Sequence, residues 1–122
     1  MPALTRFILI ASMDVGPAYE DLFNEVYDSE HVPHLLAVPG VRSVTRYKGI
    51  PAEIAIADSA KALPAASPVY TAIYVLDSPD VLNSEDWVLA VEAGRWASEV
   101  RPHTRNRHHT VYEKTFTATA ET

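Results

Sequence analysis

Six elements in the order strand, helix, strand, strand, helix, strand predict an α+β fold with an antiparallel sheet and both helices on one face, the ferredoxin-like arrangement. Two bulk properties agree with this prediction. The 122 residues suit one domain of ordinary size. Hydrophobic residues at 48% and charged residues at 21% are typical of a chain that folds around a core. We therefore expect one domain over residues 1–117 and a frayed tail over 118–122.

The first strand and the first helix are the clearest elements. Arg6 to Met13 is a short apolar run rich in Phe, Ile and Leu, which favours a strand buried on both faces. Pro17 can occupy the first position of a helix, and along Ala18 to Glu30 the apolar residues recur at helical spacing. Because Pro33 cannot continue a regular hydrogen-bonded helix, we expect the helix to end near His31.

The rest of the chain supplies three strands and one helical region. Val41 to Lys48 alternates well enough for a strand. Gly49 to Pro68 holds three prolines and many alanines and is expected to be a long connection, with room for a loose turn of helix. Val69 to Leu76 is rich in Val, Ile and Tyr and predicts the next strand. A helix over Trp87 to Trp96, after a shorter helical piece, and a strand over Arg105 to Phe116 complete the order.

Charge and cysteine content exclude several classes of function. The 16 acidic residues outnumber the 10 basic ones, for a net charge of -6, which disfavours nucleic acid or an anionic membrane as partner. A basic cluster at Arg101, Arg105 and Arg107 is local and has no repeated aromatic platform. The chain has no cysteine, which excludes thiolate chemistry and disulfides and suits a reducing cytoplasm. No apolar run is long enough to span a membrane.

Both alternations of the strands carry apolar and aromatic residues. A lone sheet with helices on one face would therefore expose a large apolar surface on the other, which monomeric proteins rarely tolerate. We expect a homodimer in which the two sheets pair face to face.

The most specific chemical pattern lies in the stretch Asn24 to Gly40, NEVYDSEHVPHLLAVPG. On a helix, Tyr27 and Asp28 lie four and three residues before His31 and share its face. A carboxylate can orient an imidazole, and histidine is the side chain whose unperturbed pKa lies nearest neutrality. We therefore predict His31 and Asp28 as catalytic residues, although such a pair at a helix end also serves simply to stabilise the helix.

Part of this stretch resembles a known family. Seven residues of the stretch resemble the signature of EthD-like members of the dimeric α+β-barrel superfamily. These residues are Tyr27, Asp28, His31, Pro33, Leu36, Pro39 and Gly40. The element order resembles that superfamily over nearly the whole chain. The spacing from His31 to Pro39 and Gly40 also looks like that in methylmuconolactone methylisomerases, where a histidine at this place lies in the active pocket.

The resemblance implies a homodimer whose two sheets close into a barrel, with a small pocket in each subunit between sheet and helices. It also implies chemistry without a metal or an organic cofactor, such as lactone isomerisation, dehydration, decarboxylation or cyclisation of aromatic compounds, and oxygenation of phenols. Other members degrade haem, but their signature includes a histidine on the second helix, and none occurs between Ser78 and Arg101. We therefore expect neither a cofactor nor a metal.

The leading hypothesis is a cofactor-independent enzyme that acts on a small apolar carbonyl, lactone or phenolic compound as a lyase, isomerase, dehydratase or cyclase. In this hypothesis His31 moves the proton and Asp28 fixes its tautomer. Two alternatives stay open. One is a cofactor-free monooxygenase of phenolic substrates, and the other is a dimer that binds a ligand without turning it over.

Five further residues are candidates for holding the substrate. The guanidinium of Arg46 suits a carboxylate or an oxyanion, and Tyr27 shares a helix face with His31. Tyr74 can line a cavity and stabilise developing oxyanion charge, or it can simply pack against a partner subunit. Trp87 and Trp96 are nine residues apart, so both can face one site only if the helix breaks between them.

The other histidines raise a metal site as an alternative. His31 and His34 have the spacing of three that can serve a metal on an uninterrupted helix, but Pro33 is expected to spoil that geometry. His108 and His109 point to opposite faces of a strand, so at most one of them reaches a pocket.

Overall fold

The computed structural model describes residues 6–121 and is built on a four-stranded antiparallel sheet with the spatial order β2-β5-β1-β6. A separate two-stranded hairpin pairs β3 with β4. The prediction of a ferredoxin-like α+β fold is confirmed. In chain order the strands are β1 (Phe7–Val15), β2 (Val41–Lys48), β3 (Ala52–Ile56), β4 (Ser59–Leu63), β5 (Tyr70–Leu76) and β6 (Thr104–Glu113).

Three α-helices and several single helical turns connect these strands. The first helix, α1 (Glu20–Val26), runs through a π-helical turn (Tyr27–His31) into α2 (Val32–Leu36). α3 (Glu85–Val91) lies between β5 and β6 and is followed by a second π-helical turn (Trp96–Val100). In the described part of the chain, no helix has both the length and the apolar character needed to cross a membrane.

β1 and β5 form the centre of the sheet. Leu9, Ala11 and Met13 of β1 face the helices and are each at most 5% exposed. The alternate residues Ile8 and Ile10 are only half-buried, so the expectation of a strand buried on both faces holds fully for one face. The helical side of the sheet therefore forms the core of the protein.

The opposite side of the sheet is apolar at its centre. Ile8 of β1 lies across from Val75 of β5, and Ile10 lies across from Ile73. All four side chains are half-buried. This is the surface that the expected face-to-face dimer would cover.

The first helix continues past Pro33, contrary to the expectation that it ends near His31. In the π-helical turn, the backbone N–H of Val32 donates to the carbonyl of Tyr27, five residues back. Pro33 then falls in the first turn of α2, where a residue without an N–H is tolerated. His34 is consequently helical.

The segment that was expected to be a long connection contains the β3–β4 hairpin. Its two-residue turn is Ala57 and Asp58, and Ala57 has a positive φ of 56°. Every residue of both strands is exposed. The sequence did not predict this hairpin because it lacks the Asn-Gly or Asp-Gly turn signal and because its strands are rich in alanine, which is depleted in strands.

Candidate active site

A cavity of about 330 Å³ lies between the helical face of the sheet and the helices. β1 and β5 form its floor, and the first helix, α3 and the π-helical turn after α3 form its walls. Its inner end is made by Tyr27, His31 and Trp96, which are 3%, 5% and 2% exposed. Its mouth is at β6, where Arg107 and His109 are exposed to solvent. The size and the mostly apolar lining suit a small organic molecule.

His31 is a buried imidazole on the wall of this cavity. Its ring stacks on Trp96, with 4.2 Å between the ring centroids and 17° between the planes, and the edge of Tyr27 meets it at 5.0 Å. Among the described residues, no group hydrogen-bonds to its Nδ1, which is sealed from solvent. Burial, with Arg101, His34 and Arg107 nearby, lowers the pKa of His31 to about 3. The imidazole is therefore neutral at physiological pH.

The predicted pairing of Asp28 with His31 is wrong. The Asp28 carboxylate accepts a hydrogen bond from Nη1 of Arg46 at 2.7 Å and is exposed to solvent. The physical reason is the π-helical turn that contains both residues. A turn closed by bonds between residues five apart is wider than an α-helical turn, so residues four apart, such as Tyr27 and His31, share a face and residues three apart do not.

Tyr27 and Tyr74 form a buried hydroxyl pair on the cavity wall. Their oxygens are 2.6 Å apart and either hydroxyl can be the donor. Burial raises the pKa of both phenols, so both stay protonated at neutral pH. One O–H hydrogen is used within the pair, which leaves the hydrogen of the accepting tyrosine free to donate to another group.

Arg46 does not reach the cavity, contrary to the expectation that it holds the substrate. Its guanidinium lies over the ring of Tyr27, with 4.4 Å from Cζ to the centroid. Its two terminal nitrogens donate to Asp28 at 2.7 Å and to Asn24 at 2.9 Å. Arg46 therefore packs on the ring of Tyr27 and is not among the residues that line the cavity.

Both tryptophans line the cavity, because the second helix breaks between them. α3 ends at Val91, before the expected end at Trp96, and Gly94 adopts a φ of 67°, the left-handed conformation that commonly ends a helix. The ring of Trp87 packs edge to face against that of Tyr74, with 5.8 Å between the centroids. Trp96 begins the second π-helical turn.

A carboxylate clamp holds Trp96 against His31. Glu30, the residue before His31, accepts hydrogen bonds from the backbone N–H of Arg95 at 2.9 Å and from its Nε at 2.6 Å. These bonds also lower the pKa of Glu30. Glu30 directly precedes His31 and Arg95 directly precedes Trp96, so the bonds connect the two π-helical turns next to the stacked rings. Gly94 is needed beside the clamp, since a Cβ there would lie 2.8 Å from Oε1 of Glu30.

Sequence reasoning missed three polar residues at the cavity mouth. Arg101, Arg107 and His109 line it, although the sequence indicates only a local basic cluster for the two arginines. The alternation of His108 and His109 was the available signal, and only His109 of this pair lines the cavity. The strand register explains this, since His109 pairs with buried Ala11.

The remaining histidines do not form a metal site. His103 stacks on Tyr19 with 3.5 Å between ring centroids, and His34 lies beside Gly94. Among residues 6–121, no group of three or more His, Cys, Asp or Glu side chains is arranged to hold a metal ion.

No protein-family model and no curated protein matches this sequence. Solved structures nevertheless resemble its fold. An ethyl tert-butyl ether D (EthD) family protein from Bacillus halodurans has a TM-score of 0.58 at 14% identity, covering 90% of this chain and 99% of that chain.

Two other structures carry different activities on a similar fold. The haem degrader MhuD from Mycobacterium tuberculosis, with two haems bound in its active site, has a TM-score of 0.56 at 12% identity, over 93% of this chain and 99% of that one. An antibiotic biosynthesis monooxygenase has a TM-score of 0.51 at 14% identity, over 92% and 99%. At such low identity, the likeness establishes the ferredoxin-like fold, in agreement with the EthD-like resemblance, and leaves the function to the site.

Proposed function

We propose that this protein is a cofactor-independent acid–base enzyme of the lyase or isomerase kind, dehydratases and cyclases included, acting on a small carbonyl, lactone or phenolic compound. The observation that carries the proposal is the neutral imidazole of His31 on the wall of a largely apolar cavity. The lowered pKa of His31, about 3, keeps this base free of a proton until a substrate supplies one.

In the proposed step, a ring nitrogen of His31 takes a proton from the carbon next to a substrate carbonyl. The electrons of the broken C–H bond move to the carbonyl oxygen and form an enolate. In an isomerisation, a C=C bond next to the enolate extends its charge to a second carbon, which takes the proton from the imidazolium as the carbonyl re-forms. In an elimination, the enolate electrons re-form the carbonyl and make a C=C bond, and the group on the next carbon leaves with the proton of the imidazolium. Because burial disfavours the imidazolium in the empty cavity, the negative charge of the enolate beside it is what makes proton uptake favourable.

The hydroxyl pair of Tyr27 and Tyr74 is suited to stabilise that enolate. Both phenols remain protonated, and one of the two hydrogens is free to donate to the enolate oxygen. Fixed donors aimed at developing charge in a site shielded from water make a large contribution to catalysis. The stack on Trp96 takes over the orienting role that Asp28 was expected to have for His31.

The proposal is tested by turnover on a panel of phenols, lactones and keto acids, with the wild type, His31→Gln and a matched control, His103→Gln. Removing a general base costs about a hundredfold to ten-thousandfold in rate, so His31→Gln should lose turnover while circular dichroism shows an intact fold. His103→Gln should keep it, since His103 lies outside the cavity. Full turnover by His31→Gln would eliminate the mechanism.

A cofactor-free monooxygenase is the second candidate, and the fold likeness to an antibiotic biosynthesis monooxygenase supports it. In that reaction the same cavity holds a phenolate that reacts directly with dioxygen. Oxygen uptake that matches substrate consumption would identify it, whereas the isomerase or lyase consumes no oxygen. A dimer that binds without catalysis would show saturable binding and no turnover on any member of the panel.

A homodimer with paired sheet faces also belongs to this proposal. The apolar centre of the outer sheet face, formed by Ile8, Ile10, Ile73 and Val75, supports it, because monomers seldom leave such a face open to water.

A further inference from the structure

The cavity has a charge that contrasts with the rest of the chain. The protein has a net charge of -6, yet no aspartate or glutamate is among the described residues that line the cavity. Its ionisable lining consists of two arginines, two histidines and the tyrosine pair. A molecule that enters therefore meets a positive wall.

The two arginines differ in how far their charge is balanced. Arg101 donates to the Glu92 carboxylate at 2.9 Å and to the Val91 carbonyl at 2.6 Å, which fixes its position and offsets its charge. Arg107 donates to the Thr104 hydroxyl at 3.4 Å, and no carboxylate of the described residues forms an ion pair with it within 4.0 Å. The guanidinium of Arg107 is thus the cation at the mouth that lacks a counter-ion in the described chain.

The pKa values of Arg107 and His109 are lowered mainly by burial and, to a smaller extent, by neighbouring positive charge. Burial and nearby Arg101 lower the pKa of Arg107. Burial and nearby Arg107 lower the pKa of His109. An anion bound at the mouth would offset the smaller part of each shift, which is due to neighbouring positive charge, because an opposite charge within a few ångströms favours the charged form of each base.

The inner end of the cavity has the opposite character. Trp96 and His31 form a stacked, buried pair there, and Trp87 and Val91 add apolar surface to the wall. Polarity therefore changes along the cavity, from an aromatic inner end to a cationic mouth. The complementary ligand has an apolar body and a single anionic group at one end.

We infer that the mouth of the cavity is a carboxylate subsite centred on Arg107, and that the substrate is an organic acid whose apolar or aromatic body lies against Trp87 and Trp96. The guanidinium fork matches the two oxygens of a carboxylate, and Arg101 and His109 add positive charge beside it. The inference rests on the proposed function, which it deepens by naming the class of substrate.

Benzoate and benzamide test the subsite, because they have nearly the same shape and differ in charge. Isothermal titration calorimetry should give wild-type protein an affinity for benzoate about tenfold or more above that for benzamide, as a charge-assisted hydrogen bond requires. Both tryptophans of the chain line the cavity, so benzoate should also shift both indole N–H signals in NMR spectra.

Arg107→Gln should bring the two affinities to within about twofold of each other, since the amide keeps polar contacts and removes the charge. Arg105→Gln is the matched control, because Arg105 lies on the same strand and outside the cavity, and it should keep the preference for benzoate. Equal affinities in the wild type, no binding of benzoate, or a preference that survives in Arg107→Gln would overturn the inference.

The subsite and the proposed catalysis fail in distinguishable ways. His31→Gln should retain the preference for benzoate, because the glutamine leaves Arg107 in place. A benzoate preference without His31-dependent turnover removes the proposed function and leaves the subsite intact. Turnover of uncharged substrates that depends on His31, without any benzoate preference, removes the subsite alone.

Discussion

His31 should make the stability of the folded protein depend on pH between 7 and 5. The side chain is 5% exposed, and its burial lowers its pKa from 6.5 to about 3, with a smaller contribution from Arg101, His34 and Arg107. In the unfolded chain the imidazole takes up a proton near pH 6.5, whereas in the folded protein it stays neutral down to about pH 3. The stability that depends on the neutral ring is therefore complete above pH 6.5 and is lost as pH falls towards 3.

The size of the effect follows from these two pKa values. Each pH unit between them lowers the free energy of unfolding by up to about 1.4 kcal/mol. From pH 7 to pH 5 the proton uptake of the unfolded chain amounts to about 2 kcal/mol. With a urea m-value of about 2 kcal/mol/M, this corresponds to a fall of about 1 M in the urea midpoint.

The assay is urea unfolding at pH 7, 6 and 5 of the wild type, His31→Gln and His103→Gln, followed by tryptophan fluorescence. His31→Gln changes the absolute stability, so the informative quantity is the loss between pH 7 and 5, which should be smaller than in the wild type by about 2 kcal/mol. His103→Gln should keep the wild-type loss. An identical pH dependence in His31→Gln and the wild type, or NMR titration of the His31 ring near pH 6.5, would refute the burial argument.

Two further predictions concern the hydroxyl pair and the outer sheet face. Tyr27→Phe and Tyr74→Phe should each lower the free energy of unfolding by about 1–2 kcal/mol, because each leaves a buried hydroxyl unpaired, and the double variant should lose much less than the sum of the two. Additive losses in urea unfolding would show that the 2.6 Å pair does not couple the two residues. Ile10→Asp should turn the proposed dimer into a monomer in analytical ultracentrifugation, while Leu89→Asp, which changes an exposed residue of α3, should leave it intact. A wild type that sediments as a monomer at micromolar concentration contradicts the sheet-face dimer.

The sheet could be predicted from the sequence because its signal is local. β2 has the predicted bounds, and β1, β5 and β6 differ from theirs by a few residues, since alternation of apolar side chains follows directly from pairing over a core. The β3–β4 hairpin could not be predicted in this way. None of its residues is buried, so its sequence shows no hydrophobic pattern. Its turn has a positive φ at Ala57, where the usual sequence signal would be a glycine or an asparagine.

The site residues that could be predicted are likewise those whose position follows from the local sequence pattern. Tyr27, His31, Tyr74, Trp87 and Trp96 were predicted and line the cavity, because aromatic residues and a histidine on the core side of an element tend to face whatever space the core leaves. Arg107 and His109 were missed because their place depends on the register of β6 against β1, which shifts between Ser12 and Asp14. A register shift of this kind decides which face a side chain occupies.

The π-helical turn at Tyr27–His31 accounts for both the wrong pairing and the site that replaces it. A regular α-helix would have put Asp28 beside His31 and would have clashed with Pro33. The wider turn removes the clash, and the same change of spacing sends Asp28 out to Arg46 while His31 and Tyr27 turn together into the cavity. His31 is then not paired with Asp28 and is a buried neutral base, while Arg46 donates to Asp28 and lies over the ring of Tyr27. The extra residue in this turn therefore prevents a pairing of Asp28 with His31. It places the base, His31, and the hydroxyl donor, Tyr27, on the wall of the same cavity.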